Sequence, residues 1–273
     1  MPHAADRELA RAFDAIAEGY DQRYKGNAVL DYMRSAALAE LDRLAQPRDW
    51  WLEVGCGTGR DAFHLAERGV HVVATDVSPG MIRQLTARMA EERTPGWLLP
   101  QIIGTAGLGR LGLHWNGRFA GAYSFFGALN CDPDLPAVAR HLANLIQPGG
   151  RLVATILNRW YPVEMAYFLA RLRPLLALRR IWPGGARILV GPAYLRAFPH
   201  GIRRFSSLLA PHFTVESCRG LSIVTPPFHA EEVVRRLPTA WMNRLTTWDE
   251  QLGRLPLTRG LGDYFLVTAR RAA

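Results

Sequence analysis

The sequence predicts an α/β fold, a doubly wound, seven-stranded and mostly parallel sheet with helices on both faces and helical insertions near its C-terminal strands. Three observations carry that expectation. Short apolar runs alternate with amphipathic stretches from residue 49 to 157 without a linker. The first run leads into WLEVGCGTGRD, an acid followed by three closely spaced glycines. Two more apolar runs, HFTVESCRGLSIV and GDYFLVTAR, follow a long interruption and supply the sixth and seventh strands.

The elements can be justified in order. ELARAFDAIAEGYDQRY has apolar residues at helical spacing up to Gly19-Tyr20-Asp21, where a break precedes a second helix through VLDYMRSAALAELDRLA. Pro47 ends that helix. DWWLEVG is a short buried strand, GRDAFHLAERG a helix closed by Gly69, and VHVVATD the second strand. In SPGMIRQLTARMAEER, Ser78 is a natural N-cap and Pro79 takes the first helical position. WLLPQIIGT and RFAGAYSFF read as strands three and four, DLPAVARHLANLI as a helix, and RLVATIL as strand five after a PGG turn. Beyond Leu157 the pattern changes to NRWYPVEMAYFLARLRPLLALRRIWPGG, aromatic, arginine-rich and broken by prolines. PPFHAEEVVRRLPTAWMNRLTTWDEQLGRL reads as helical, and the last strand is expected to close the sheet. We expect a single domain over 1–273, with an N-terminal helical lid (1–48), a ligand-binding core (49–157) and substrate-side insertions with closing strands (158–273).

Composition narrows the class. Hydrophobic residues at 49% and charged residues at 21% describe a folded globular chain. The formal charge of +9 invites a nucleic-acid partner, but 32 of the 33 cations are arginine, they read as scattered, and no aromatic-plus-basic RNA-binding signature accompanies them. Cys56, Cys131 and Cys218 are widely spaced and form no CxxC or Cys/His cluster, so no metal site and no disulfide framework is expected. The N-terminus lacks the apolar core of a signal peptide and no run reaches the length of a membrane span. A cytoplasmic setting is the plain expectation, and the number of subunits is left open.

The glycines point to a ligand. A strand turning sharply into a helix while its backbone approaches a bound molecule favours glycine, because side chains would block the approach. The N–H groups of the loop and helix start can then hold an anionic group. A dinucleotide fingerprint sets its third glycine three residues after the second and keeps hydrophobic residues where Glu53 stands, which argues against a nicotinamide dehydrogenase. A carboxylate at Glu53 repels a pyrophosphate and suits a ligand with an ammonium group. Asp76, at the end of the second strand, can accept both hydroxyls of a ribose.

LEVGCGTG followed by ATDVSPGMI resembles the class I S-adenosylmethionine-dependent methyltransferases, a family with a Rossmann-like fold. The resemblance covers about Phe13 to Leu157. It implies that Glu53, Gly55, Cys56, Gly57, Thr58 and Gly59 line the methionine end of S-adenosylmethionine, that Asp76 binds the ribose, and that Val77 packs on the adenine. It further implies that Ser124, Phe125 and Phe126 of SFFGALN border the transferred methyl group, and that Tyr20 in the lid covers the methionine part, a core-packing role for Tyr20 being the alternative. Two positions depart from the family pattern. Thr105, followed by Ala106, stands where an acid usually binds the adenine amino group, and Ala120 replaces the aspartate that usually opens the fourth strand. These departures motivate a second reading, a non-catalytic S-adenosylmethionine-binding regulatory or partner protein.

No residue claims the role of general base. Tyr20, Asn130 and His229 are the candidates, with turn formation as the alternative for Asn130; His200 also lies in the variable insertions, and His64, His71 and His141 sit on scaffold elements. No paired-carboxylate metal motif follows the fourth strand, and no NPPY-like signature appears there. The resemblance therefore implies transfer to a small, partly apolar molecule, at oxygen ahead of carbon or sulfur. Trp160, Tyr161, Tyr167, Phe168 and Trp182 can form an apolar lid, and the neighbouring arginines can meet an acidic substrate or an anionic membrane surface.

Overall fold

The computed structural model describes residues 4–272; the first three residues of the expected lid and the last residue of the chain lie outside the described residues. Its strands are β1 (Trp50–Val54), β2 (His71–Asp76), β3 (Leu98–Ile102), β4 (Phe119–Ser124), β5 (Ile146–Leu157), β6 (Ala186–Val190), β7 (Ala193–Ala197), β8 (Phe213–Leu221) and β9 (Tyr264–Arg271). Seven of them form one sheet in the order β3-β2-β1-β4-β5-β9-β8, while β6 and β7 pair as a separate antiparallel hairpin. β1 to β5 run parallel, and β9 is antiparallel to both of its neighbours.

Period-two alternation explains why the sheet is covered on both sides. Trp51, Val72, Tyr123, Val153 and Leu266 share one apolar cluster, and their chain neighbours Leu52, Val73, Ala122, Leu152 and Phe265 share the other. The helices are α1 (Ala4–Asp14), α2 (Tyr20–Tyr24), α3 (Ala28–Leu44), α4 (Arg60–Glu67), α5 (Pro79–Glu91), α6 (Gly112–Trp115), α7 (Leu135–Leu145), α8 (Pro162–Leu169), α9 (Pro174–Ala177), α10 (Ile202–Leu209), α11 (Glu231–Arg236) and α12 (Thr239–Arg254). α3 buries Val29, Met33, Ala37 and Leu41, spaced four apart, against the first cluster. α7 buries Val138, Ala139 and Leu142 against the second, joined by Phe205 and Leu209 of α10.

Caps set the helix ends. Asn27 accepts from Val29 N and Leu30 N to start α3, and Ser78 accepts from Met81 N with Pro79 in the first turn of α5. α3 stops at Leu44, three residues before Pro47.

Two features differ from the sequence reading. The last strand does not close the sheet at its edge: β9 inserts between β5 and β8, so β8 is the edge strand. After the α11–α12 excursion β9 returns between β5 and β8 and runs antiparallel to both. The stretch 186–209 also holds the β6–β7 hairpin and α10, which the arginine-rich composition concealed.

Candidate active site

The glycine loop after β1 is built by steric exclusion. Gly55 and Gly59 have φ of +78° and +84°, and a Cβ on either would lie 2.3 Å from Ala128 Cβ or from Leu85 Cδ1 respectively. Gly55 N and Cys56 N both donate to Thr75 O on β2, at 2.8 and 2.9 Å, so the loop is pinned to the next strand. Gly59 is the N-cap of α4.

Asp76 ends β2 beside this loop. Its Oδ2 accepts from Gly57 N at 2.9 Å and its Oδ1 from Ser78 N at 2.8 Å. Burial raises the Asp76 carboxyl above its ordinary value, and the N–H groups of Ser78, Gly57 and Val77 offset part of that rise.

Glu53 lies on β1, only 2% exposed, and its Oε2 has no hydrogen-bond partner. Burial, and then the Asp61 carboxylate, push the Glu53 carboxyl well above the usual carboxylate range; the Tyr123 hydroxyl, Arg34 and a further push from Asp76 leave it there. The Tyr123 hydroxyl faces Glu53 but closes no hydrogen bond of standard geometry. Arg34 of α3 is spent mainly on Asp61, contacting both carboxylate oxygens, and lies 4.6 Å from the Phe126 ring centroid. Three buried carboxylates and one guanidinium thus meet at the ends of β1 and β2. The cluster is short of positive charge, and its orphaned acceptor belongs to Glu53.

The N-terminal helices cover this place. A Cβ on Gly57 would lie 4.0 Å from Tyr20 Cε1, so the Tyr20 ring sits over the loop. Asp21 accepts from Thr58 Oγ1 at 2.8 Å, and Asp14 accepts from Ser78 Oγ at 2.5 Å and Gly80 N at 2.6 Å at the start of α5. Two carboxylates therefore latch the N-terminal helices onto the loop and onto the helix that follows β2. The latch leaves a cavity of about 560 Å³ outside it, between Asp14–Gly19 and Gly80–Gln84, away from Glu53.

The remaining candidates separate into two groups. Val77 lies close to the expected adenine side, its Cγ2 3.1 Å from where a Cβ on Gly104 would sit. Thr105 donates to Asp132 Oδ2 at 2.6 Å, and Ala106 beside it is exposed. Phe125 is buried against Tyr123, and the next residue, Phe126, has φ +55° followed by Gly127 at +90°. That left-handed pair holds the loop after β4 in a bend few non-glycine residues adopt. Cys56 is buried with Sγ 3.5 Å from Gly57 O.

Other side chains are turned to the fold. Ser124 Oγ donates to Val54 O at 2.8 Å, tying β4 to β1. Asn130 donates to Phe198 O at 2.8 Å and accepts from Leu157 N at 2.8 Å, clamping the loop after β4 to the end of β5. Ala120 packs against the core. His229 stacks on Phe168 and has Nε2 3.6 Å from Glu164 Oε1. Burial lowers its pKa against the opposing pull of Glu164, which favours the neutral imidazole near pH 7.

Several residues escaped the sequence reading, Asp61 at the start of α4 among them. Asp14, Asp21 and Arg34 lie on helices whose motif value is nil without the fold. Asp132 follows the strand-four motif, and only Thr105 reveals it as a carboxylate brought back beside the position where the family acid is missing. Tyr264 is a further neighbour: its ring stands edge-on to Phe126 at 6.1 Å.

Residues 52–150 match the protein family described as "Methyltransferase domain". Over that segment the chain is similar to methyltransferase domains. It is 31% identical over 165 residues to a demethylmenaquinone methyltransferase of Beutenbergia cavernae, covering 59% of this chain and 63% of that protein. It is 35% identical over 152 residues to the nocamycin O-methyltransferase of Saccharothrix syringae, covering 52% of this chain and 49% of that protein. The chain thus spans about half to just under two thirds of these relatives' lengths. Among solved structures, the 1,6-didemethyltoxoflavin-N1-methyltransferase of Burkholderia thailandensis, with bound 1,6-didemethyltoxoflavin and S-adenosylhomocysteine, aligns over 100% of this chain and 93% of its own. The TM-score is 0.56 at 19% identity, a likeness of fold. The matched segment contains the loop, both acids and the β4 bend.

Proposed function

We propose that this chain transfers a methyl group from S-adenosylmethionine to a small, partly apolar acceptor, at oxygen and without needing a metal. The observation that carries the reading is the buried, unpartnered Glu53 Oε2 in a cluster short of positive charge. An α-ammonium group supplies both a positive charge and the missing donor. Asp76 has lone pairs left for a ribose diol beyond its two backbone bonds. The Asp132–Thr105 pair offers an acceptor for an adenine amino group in place of the absent family acid.

When bound, S-adenosylmethionine supplies a methyl already activated by the sulfonium charge. The protein's part is then to align an acceptor and exclude water, which can be worth about 7–11 kcal/mol in favourable cases. Tyr20 and the two carboxylate latches close one side. Phe125, Phe126 and Tyr264 form an apolar wall on the other, which supports a partly apolar acceptor, as do the names of the two curated relatives. Burial pushes the Tyr20 and Tyr264 phenols up, so both are hydroxyl donors at neutral pH and not bases. We assign residues 1–48 as lid, 49–157 as cofactor core and 158–273 as the acceptor side of one domain. Three free cysteines support a cytoplasmic setting for it.

Titration calorimetry with S-adenosylhomocysteine tests the reading, with one site expected. Asp76→Ala should weaken that binding by roughly 1.5–3 kcal/mol. Folded protein that binds neither form of the cofactor would overturn it. A second reading, a non-catalytic cofactor binder, is favoured by Asn130 and His229, whose polar groups face the fold or the Glu164 carboxylate. Label from methyl-tritiated cofactor appearing in an extracted small-molecule fraction decides against it.

A further inference from the structure

The charge of the chain is concentrated in one stretch. Between Glu164 and Glu216 there is no Asp or Glu, and residues 165–215 contain eight arginines. The other 222 residues hold 25 Lys and Arg against 24 Asp and Glu, so this stretch carries +8 of the formal +9. Eight of the 17 large apolar side chains exposed among the described residues fall in the same 51 residues. A solvated helix face does not combine those two properties.

The turn joining α8 to α9 concentrates them further. Residues 169–176, LARLRPLL, are all exposed, with Leu172 at 90% and Leu175 at 76%. Leu172 holds φ +56°, a left-handed conformation unusual for a leucine, at the tip of a turn closed by Leu172 N to Leu169 O and Arg173 N to Phe168 O, both 2.9 Å. Arg171 lies over the Tyr167 ring at 3.8 Å, and no carboxylate pairs with Arg171 or Arg173 among the described residues. Trp182 is exposed shortly after α9. The β6–β7 hairpin repeats the composition: cross-strand pairs Leu189–Tyr194 and Arg187–Arg196 are exposed, while Ile188 and Leu195 face inward.

We propose that the α8–α9 tip docks the protein on an anionic lipid surface, with Leu172 and Leu175 entering the acyl boundary and Arg171 and Arg173 meeting lipid phosphates. Leucines flanked by arginines, with a tryptophan close by, match the interfacial pattern of peripheral membrane elements. Charge selects this occupant over the others. A second copy of the chain would bring two arginine-rich tips together, and the rest of the chain, with 25 Lys and Arg against 24 Asp and Glu, offers no net negative charge to meet them. A nucleic acid would engage the arginines and leave four exposed leucines in water. The proposal stands independently of methyl transfer.

The test is co-sedimentation with sucrose-loaded vesicles of phosphatidylcholine alone or with about one third phosphatidylglycerol. The protein should pellet with the anionic vesicles only, and raised salt should release it. Arg171→Glu with Arg173→Glu should weaken that partitioning by about 30-fold or more, from roughly five-fold per basic residue at such a surface. Leu172→Glu with Leu175→Glu should abolish it. Both pairs are solvent-exposed, and unchanged melting curves for the variants confirm that they fold. The proposal is overturned if the wild-type protein stays in the supernatant with anionic vesicles, if it pellets equally with both kinds, or if either double variant pellets as well as wild type. It is also overturned if the leucine variant changes only a concentration-dependent self-association seen by sedimentation velocity.

Discussion

Two buried charge clusters sit at the same end of the sheet, and only one balances its charges, although Asp263 Oδ2 and Arg179 Nε within it lack a hydrogen-bond partner. On the C-terminal side, Glu164 of α8 receives Arg179 at 2.6 Å and Arg180 at 2.7 Å, and Arg180 also reaches Asp263 at 2.7 Å beside β9. Burial pushes Glu164 up, but Arg180 and then Arg179 more than offset it and hold the carboxyl at about 2. Asp263, served by one guanidinium, stays raised by burial. On the N-terminal side, Glu53, Asp61 and Asp76 share Arg34, and Glu53 is left high. A cluster whose counter-charges come from the chain holds insertions to the core. A cluster that lacks one is a place for a ligand to bring it.

The largest expected effect breaks the balanced cluster. Arg180→Met leaves Glu164 with one partner and Asp263 with none from that side, and removing one member of a buried pair costs about 3–5 kcal/mol. Chemical denaturation should show that loss, while the protein that remains folded should bind S-adenosylhomocysteine at wild-type affinity. A fall in affinity with unchanged stability would mean that the comparison has the two clusters reversed.

Glu53→Gln should do the opposite. It removes the acceptor charge for an ammonium group, weakening S-adenosylhomocysteine by roughly 1.5–3 kcal/mol. It should also raise the melting temperature of the unliganded protein, because an unbalanced buried carboxylate is replaced by a neutral amide. The pH dependence sharpens this. A carboxyl whose folded pKa lies above its ordinary 4.5 binds its proton more tightly in the folded state, so stability falls as pH climbs from the unfolded value through the folded one. Melting temperature scanned upward from pH 4.5 should decline less steeply for Glu53→Gln than for wild type.

The same contrast explains what the sequence could disclose. WLEVGCGTG and ATD were legible because strand ends and tight glycine turns are local, and the acids sit at fixed offsets from them. Ser78 and Pro79 announced the start of α5 for the same reason. The Glu164–Arg180–Asp263 cluster spans residues 164 to 263, and no local pattern marks which of 32 arginines goes inside. Asn130 and Ser124 looked available because their hydrogen-bond partners are backbone atoms on other strands, which only the sheet order reveals. The edge position of β8 was hidden similarly: both final strands read as apolar runs, and β9 returns between β5 and β8 only after the α11–α12 excursion.

The smallest effect concerns the lid that covers the unbalanced cluster. Asp21 is exposed and makes one hydrogen bond to the glycine loop through Thr58, so Asp21→Ala should cost no more than about 0.5–1.5 kcal/mol. Because that bond fastens a cover and touches neither Glu53 nor Asp76, the loss should appear as faster dissociation of S-adenosylhomocysteine in stopped-flow, with association nearly unchanged. Asp21→Asn keeps an oxygen acceptor for the Thr58 hydroxyl and should restore slow dissociation. If Asp21→Asn behaves like alanine instead, the Asp21 charge is acting on the ligand directly, and the boundary between lid and cluster has to be moved to include it.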